Sequence, residues 1–282
     1  MSVHDDNQAQ AEFWTIAGDM WTAARERFDQ QAGEHGVAAI DALEPQRGEH
    51  VIDIGCGAGS TTVELARRVG DGGRVTGLDI SPTMVEGAAA LVAQHELPNV
   101  TLRVADAMVD EFAGDADALY SRFGVMFFAD AASGFANMRT ALKPGGRLGF
   151  VCWQSPADNP WASTPLRIAA EFVDMPFGAD PTAPGPFSLA DADRLRSVLD
   201  SAGYDDVEIA GRSTPVALGS DLDDTADFIF QLMPPVAALA REDPAAAGEF
   251  RERLKGEFEP FSGDDGVMVP SATWIVTAVQ PE

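Results

Sequence analysis

The stretch VIDIGCGAGSTTVELA, Val51 to Ala66, sets an apolar run, three alternating glycines and a helix-like run end to end. An ordinary strand-to-helix turn needs one glycine. Gly55, Gly57 and Gly59 therefore call for a reason beyond the turn. Glycine in a connection marks a positive φ, or a backbone that must come very close to something. Three in alternation point to a ligand.

Outward from this stretch, short apolar runs alternate with helical ones. HVIDI (50–54) reads as a buried strand and STTVELARRV as the helix behind it. RVTGLDI (74–80) is a second strand, after which Ser81 and Pro82 supply an N-cap and a proline at the first helical position. VTLRVAD (100–106), ADALYS (116–121) and RLGFVCW (147–153) give the third to fifth strands. Phe135, Met138 and Leu142 fall at helical spacing before the turn KPGG. DVEIAG (206–211) and ATWIVTAV (272–279) are two later strands. Such alternation builds a parallel sheet with helices on both faces, a doubly wound α/β fold.

In open α/β sheets a ligand binds beyond the carboxyl ends of the strands, where the strand order reverses. The glycine loop leaves the first strand at such an end and opens a helix, whose N–H groups suit a carboxylate or phosphate. Spacing decides which. A dinucleotide fingerprint, G-x-G-x-x-G, would place its third glycine where Ser60 stands. Asp53, just before the loop, suits an ammonium group better than a second phosphate. Asp79 ends the second strand, where a carboxylate accepts both hydroxyls of a ribose. Asp106 closes the third strand in VADA, with Ala107 beside it, placed to receive an adenine amino group or to cap its own loop. Ile80 and Met84 are apolar and positioned to sandwich a flat base, although Met84 serves equally as core. Amine, ribose and adenine without phosphates describe S-adenosylmethionine.

The chain resembles the class I S-adenosylmethionine-dependent methyltransferases, in the branch similar to ubiquinone/menaquinone biosynthesis methyltransferases. VIDIGCGAG, VTGLDIS, VADA, LYSRFGVMFF and LKPGGRLGFVCW carry the resemblance, in that order, over residues 48–153. It implies a Rossmann-like, seven-stranded, mostly parallel sheet with an antiparallel last strand. It also implies that Ser121 and Phe123 help hold the methionine moiety. The expected organisation is an N-terminal helical lid at 1–35, a cofactor-binding α/β core at 36–153, and the remaining core strands within 154–282. Insertions at about 154–188 and 216–268 then form a helical cap.

Composition sets bounds on the rest. The formal net charge of −26 argues against nucleic acid and anionic membrane as partners. No run of about 18 apolar residues occurs and MSVHDDNQAQ is no secretory signal, so a cytoplasmic protein is expected. Cys56 and Cys152 are too few for a disulfide framework and form no metal cluster with histidine. No metal site is expected, and the oligomeric state stays open.

Methyl transfer from a sulfonium is an in-line displacement for which the enzyme supplies proximity, alignment and a dry site. A general base is needed only when the acceptor must first lose a proton. His50 and His95 sit at the amino edge of the sheet, His4 in the leading tail, and His35 is expected in solvent. Asp110, Glu111, Asp130 and Asp158 are expected to be solvated too, so no catalytic residue is assigned. Arg122 can pair an acidic acceptor or a neighbouring aspartate. Trp153, Trp161, Phe172, Phe177, Phe187, Phe228, Phe230 and Met233 read as core or as the wall of an apolar acceptor pocket. In the lid, Trp14, Trp21 and Phe28 repeat every seven residues, near one helical face. The expected activity is methylation of a small, largely apolar molecule. Two other readings stand beside it: an NAD-type oxidoreductase, disfavoured by Ser60, and a non-catalytic S-adenosylmethionine-binding protein.

Overall fold

A computed structural model describes residues 7–173 and 180–282. His4 and Phe177 lie outside the described residues. These residues form two compact units, the first made of residues up to 153, 182–212 and 273–282. In it, helices α1 (Gln8–Ala23) and α2 (Arg25–Leu43) precede strand β1 (His50–Ile54). Then come α3 (Ser60–Val69), β2 (Arg74–Asp79), α4 (Pro82–Gln94), β3 (Val100–Val104), β4 (Ala116–Arg122), α5 (Ala131–Arg139) and β5 (Leu142–Trp153).

The second unit takes residues 154–181 and 213–272. It opens with α6 (Pro160–Ala169). The chain returns to the first unit for α7 (Ala192–Ser201) and β6 (Asp205–Ser213). The second unit continues with β7 (Val216–Gly219), α8 (Leu222–Leu232), α9 (Pro234–Glu242), α10 (Pro244–Phe258), β8 (Ser262–Gly263) and β9 (Gly266–Val269). Strand β10 (Ala272–Val279) closes the first unit.

The first unit is a seven-stranded sheet in the order β3-β2-β1-β4-β5-β10-β6. Strands β3, β2, β1, β4 and β5 run parallel, and β10 is antiparallel to β5. The order reverses beside β1, between β2 and β4. Every residue of β1 is buried, as a central strand covered on both faces requires. Tyr120 and Val151 from the strands, Ala39, Ile40 and Leu43 from α2, and Leu65 and Val69 from α3 share one core cluster. Cys56 and Cys152 are both free thiols and buried.

Two expectations about elements change. The helix before β5 ends at Arg139, and Leu142 instead starts the strand, pairing with Ala116. Its apolar side chain serves a strand entry as well as a helix face, which the spacing could not distinguish. Residues 216–268 are not wholly helical, because β7, β8 and β9 build a small antiparallel sheet in the second unit. These strands span two to four residues, too short to show a period.

The second unit has its own core. Phe228, Phe250, Leu254 and Phe258 are buried, and Phe172 and Phe230 pack edge-on against Phe250. Part of the expected aromatic pocket wall is therefore the interior of this unit.

Candidate functional site

The three carboxylates singled out in the sequence lie at or just beyond the carboxyl ends of adjacent strands. Asp53 pairs in register with Gly77 of β2 and Tyr120 of β4. Its side chain is wholly buried, and Oδ2 accepts hydrogen bonds from Thr61 Oγ1 at 2.8 Å and Thr62 Oγ1 at 2.7 Å. Its other oxygen, Oδ1, is buried without a hydrogen-bond partner among the described residues. Burial outweighs the two hydroxyls and the Arg122 charge, raising the Asp53 pKa to about 6. A buried carboxylate oxygen without a donor fits a cationic N–H group.

The glycines divide by role. All three have positive φ, +65° at Gly55, +53° at Gly57 and +91° at Gly59. A Cβ on Gly55 would stand 3.0 Å from the Gly124 backbone, and one on Gly59 would stand 2.9 Å from Ala88 Cα in α4. Those two let the chain pack on itself. A Cβ on Gly57 would meet nothing within 4 Å. Packing does not account for Gly57, whose +53° φ and open surroundings set it apart from the other two.

Asp79, at the end of β2, is held by the glycine loop. Its Oδ2 accepts from the Gly57 N–H and its Oδ1 from the Ser81 N–H, both at 2.9 Å. Burial raises its pKa to about 6 against these backbone donors. Ser81 caps α4 by accepting from the Met84 N–H, so Asp79 is free of that duty. Ile80 is half-buried beside it. Met84 is buried, its sulfur accepting from Thr22 Oγ1 of α1 at 3.9 Å.

Asp106 follows β3 and is 2% exposed. Its Oδ1 accepts from the Met108 N–H at 3.0 Å and from Asn7 Nδ2 at 3.0 Å. Ala107 is buried, and its carbonyl accepts from Asn137 Nδ2. Ser121, near the end of β4, is buried and donates to the Ile54 carbonyl at 2.8 Å, tying β4 to the end of β1. Phe123 has a left-handed φ of +63°, an uncommon conformation for a bulky residue and typical of functional turns. Its ring stacks on Trp153 with centroids 4.3 Å apart.

Other residues reach this end of the sheet unannounced by the sequence. Asp29 of α2 accepts from Ser60 Oγ at 2.6 Å and from Arg122 Nη1 at 2.9 Å. Ser60, read as a missing third glycine, thus anchors α2, and Arg122 is paired by a neighbouring aspartate. Trp14 of α1 packs edge-on against Phe127, with centroids 4.9 Å apart. Trp21 stacks on Phe28 at 3.7 Å across a break at Ala24 that divides the expected lid helix into α1 and α2. The links from Asp29 to Arg122 and from Trp14 to Phe127 span too much chain for a short-range signal to reveal them.

His35 overturns its expected place in solvent. It is fully buried on α2, edge-on to Trp153, with Nδ1 3.0 Å from Thr273 Oγ1. It lies on the helix face that carries Ala39 and Ile40 into the core, and its spacing from them was the available clue. Burial, with the charge of Arg212 added, lowers its pKa to about 4, so it is neutral at pH 7. Asp110 is likewise largely shielded and paired with Arg103, while Asp130 caps α5.

A strand-order switch point with carboxylates at three neighbouring strand ends is the place where doubly wound α/β folds bind their ligands. A family model described as a methyltransferase domain matches residues 51–146. Nocamycin O-methyltransferase of Saccharothrix syringae is 30% identical over 217 residues, 68% of this chain and 75% of that protein. Trans-aconitate 2-methyltransferase of Deinococcus radiodurans is 28% identical over 239 residues, 82% of this chain and 87% of that protein. Among solved structures, phosphoethanolamine N-methyltransferase 2 of Haemonchus contortus with S-adenosylmethionine superposes with a TM-score of 0.56 at 20% identity. That likeness covers 88% of this chain and spans about half, 53%, of the nematode chain. The chain belongs to the class I S-adenosylmethionine-dependent methyltransferases. It is a methyltransferase, and S-adenosylmethionine is its methyl donor.

Proposed function

We propose that this chain methylates a small, largely apolar molecule, with Asp79 accepting the ribose hydroxyls, Asp106 the adenine amine and Asp53 the ammonium of the donor. The observation that carries the assignment is that, at the switch point, Gly57 faces open space while Asp53 Oδ1 has no partner among the described residues. The donor supplies an electrophilic methyl on a sulfonium. Gly55, Gly57 and Gly59 bring backbone to its methionine end, and Ser121 and Phe123 close that end from β4. Ile80 and Met84 bracket the base, and Ala107 lies under its edge.

The acceptor class is inferred from aromatic rings in the first unit. Phe123 stacks on Trp153, and Trp14 packs on Phe127. Rings of this kind exclude water from a sulfonium and favour apolar acceptors. The names of the two relatives give nocamycin and trans-aconitate as acceptors of those proteins, and a small molecule is what they share. Residues 1–35 act as a lid. Neutral His35, already engaged with Thr273, is not a general base, so the reaction relies on alignment. The acidic surface disfavours nucleic acid and anionic membrane, and no helix among the described residues is long and apolar enough to cross a membrane. The reading extends to a cytoplasmic, metal-independent enzyme.

Asp79→Ala tests the site. Losing an acceptor of two hydroxyls should weaken S-adenosylmethionine binding by roughly 1.5–3 kcal/mol, about tenfold to a hundredfold. Calorimetry giving the same dissociation constant as the parent would remove Asp79 from the site. Tighter binding of NAD than of S-adenosylmethionine would overturn the whole cofactor assignment.

A further inference from the structure

We infer that Asn7, immediately before α1, is a second adenine-reading side chain. Its Oδ1 accepts one N–H of the exocyclic amine while Asp106 accepts the other. The inference rests on the proposed pairing of Asp106 with adenine.

An asparagine in this position ordinarily turns its side chain back to cap the first free N–H groups of its own helix. Asn7 makes no such cap. Its Nδ2 instead donates to Asp106 Oδ1 at 3.0 Å, across 99 positions of sequence. Asn7 is 4% exposed, so this bond is made out of water.

The other end of the amide is what points to a ligand. Asn7 Oδ1 is buried and has no hydrogen-bond partner among the described residues. Buried acceptors without a donor are rare and costly. Turning the amide over does not repair the defect, because it would set Oδ1 against the Asp106 carboxylate. The orientation is therefore fixed by Asp106, which is itself held by the Met108 N–H. A carboxylate and an amide oxygen then stand side by side.

A primary amine on a flat ring has two N–H donors, and two neighbouring acceptors are its complement. Hypoxanthine carries a carbonyl at the same ring position and would bring a third acceptor to the pair. The arrangement thus reads adenine against hypoxanthine, and it draws half of that reading from the lid.

The test uses the full chain and calorimetric titration with S-adenosylhomocysteine and S-inosylhomocysteine. Asn7→Ala should weaken S-adenosylhomocysteine binding about threefold to tenfold, the loss of one neutral hydrogen bond. Binding of S-inosylhomocysteine, whose carbonyl loses a facing acceptor, should hold or tighten. Asn7→Ser, which restores a capping hydroxyl to α1, keeps the fold secure and should show the same selective loss. Equal losses for both ligands would reduce Asn7 to a general support of the lid and overturn the inference. Tighter S-adenosylhomocysteine binding would also overturn it, because the amide would then be a stand-in that adenine displaces. Parental affinity in both variants would do the same. If the parent protein itself failed to bind S-adenosylhomocysteine, the adenine site as a whole would be misplaced, a result distinct from any of these.

Discussion

Gly57 and Gly59 look interchangeable in the sequence and differ in the structure. A methyl on Gly59 collides with the α4 backbone at Ala88, whereas a methyl on Gly57 enters open space. Both substitutions carry the left-handed penalty of about 1–2 kcal/mol. Gly59→Ala should therefore lower the melting temperature further than Gly57→Ala. Gly57→Ala should show the greater loss of S-adenosylmethionine affinity for its loss of stability. Paired melting and calorimetry decide it, and the reverse ranking would move the ligand away from Gly57. At this scale the sequence was informative wherever a residue type has few uses. Aspartates at strand ends and glycines in a βα turn are such cases. His35 was legible only through its spacing from Ala39 and Ile40, because a lone histidine does not itself say which side of a helix is buried. Asn7 was silent, because no local pattern marks a partner 99 positions away.

Helices α1 and α2 show how far periodicity reaches. Aromatic spacing marked a helical segment ahead of the first strand, and the rings of Trp14, Trp21 and Phe28 do contact one another in series. Spacing could not show what fastens these helices. Asp29 joins α2 to Ser60 at the start of α3 and to Arg122 at the end of β4. Asp29→Ala removes both ties and strands a partly buried guanidinium. Steady-state kinetics should show a fall in kcat, with the dissociation constant for S-adenosylmethionine changing less than the kcat. An unchanged kcat would mean that α2 holds its place without this tie. Strands β1 to β5 were readable because each is a short apolar run bounded by turn residues. Strands β7 to β9 fell below that threshold.

Across the whole molecule, charge and burial give two further expectations. With a formal net charge of −26, the fold opposes its own repulsion, which added salt screens. The screening length falls from about 10 Å at 0.1 M to about 3 Å at 1 M salt. The melting temperature should rise as sodium chloride increases through that range, and a flat or falling curve would show that the charges are already locally paired. The second concerns pH. Folding raises the pKa of Asp53 and Asp79 to about 6, above the value of about 3.9 in an unfolded chain. Each favours the ligand-free fold below about pH 4 and loses that contribution as pH rises through about 6. A cationic donor and ribose hydroxyls favour the charged forms. The rise in melting temperature on adding S-adenosylmethionine should therefore be larger at pH 7.5 than at pH 5. An equal rise at both would mean that neither carboxylate faces the ligand.

The antiparallel strand β10 also has a consequence in time. It sits between β5 and β6, yet residues 214–271 separate it from β6 in the chain. During synthesis β6 has no neighbour to join until β10 emerges, whereas Asp53, Asp79, Asp106 and Ser121 all lie on or beside strands already made. Closing the sheet through β10 is therefore a long-range step, and contact order makes such a step slower than the local pairings made before it.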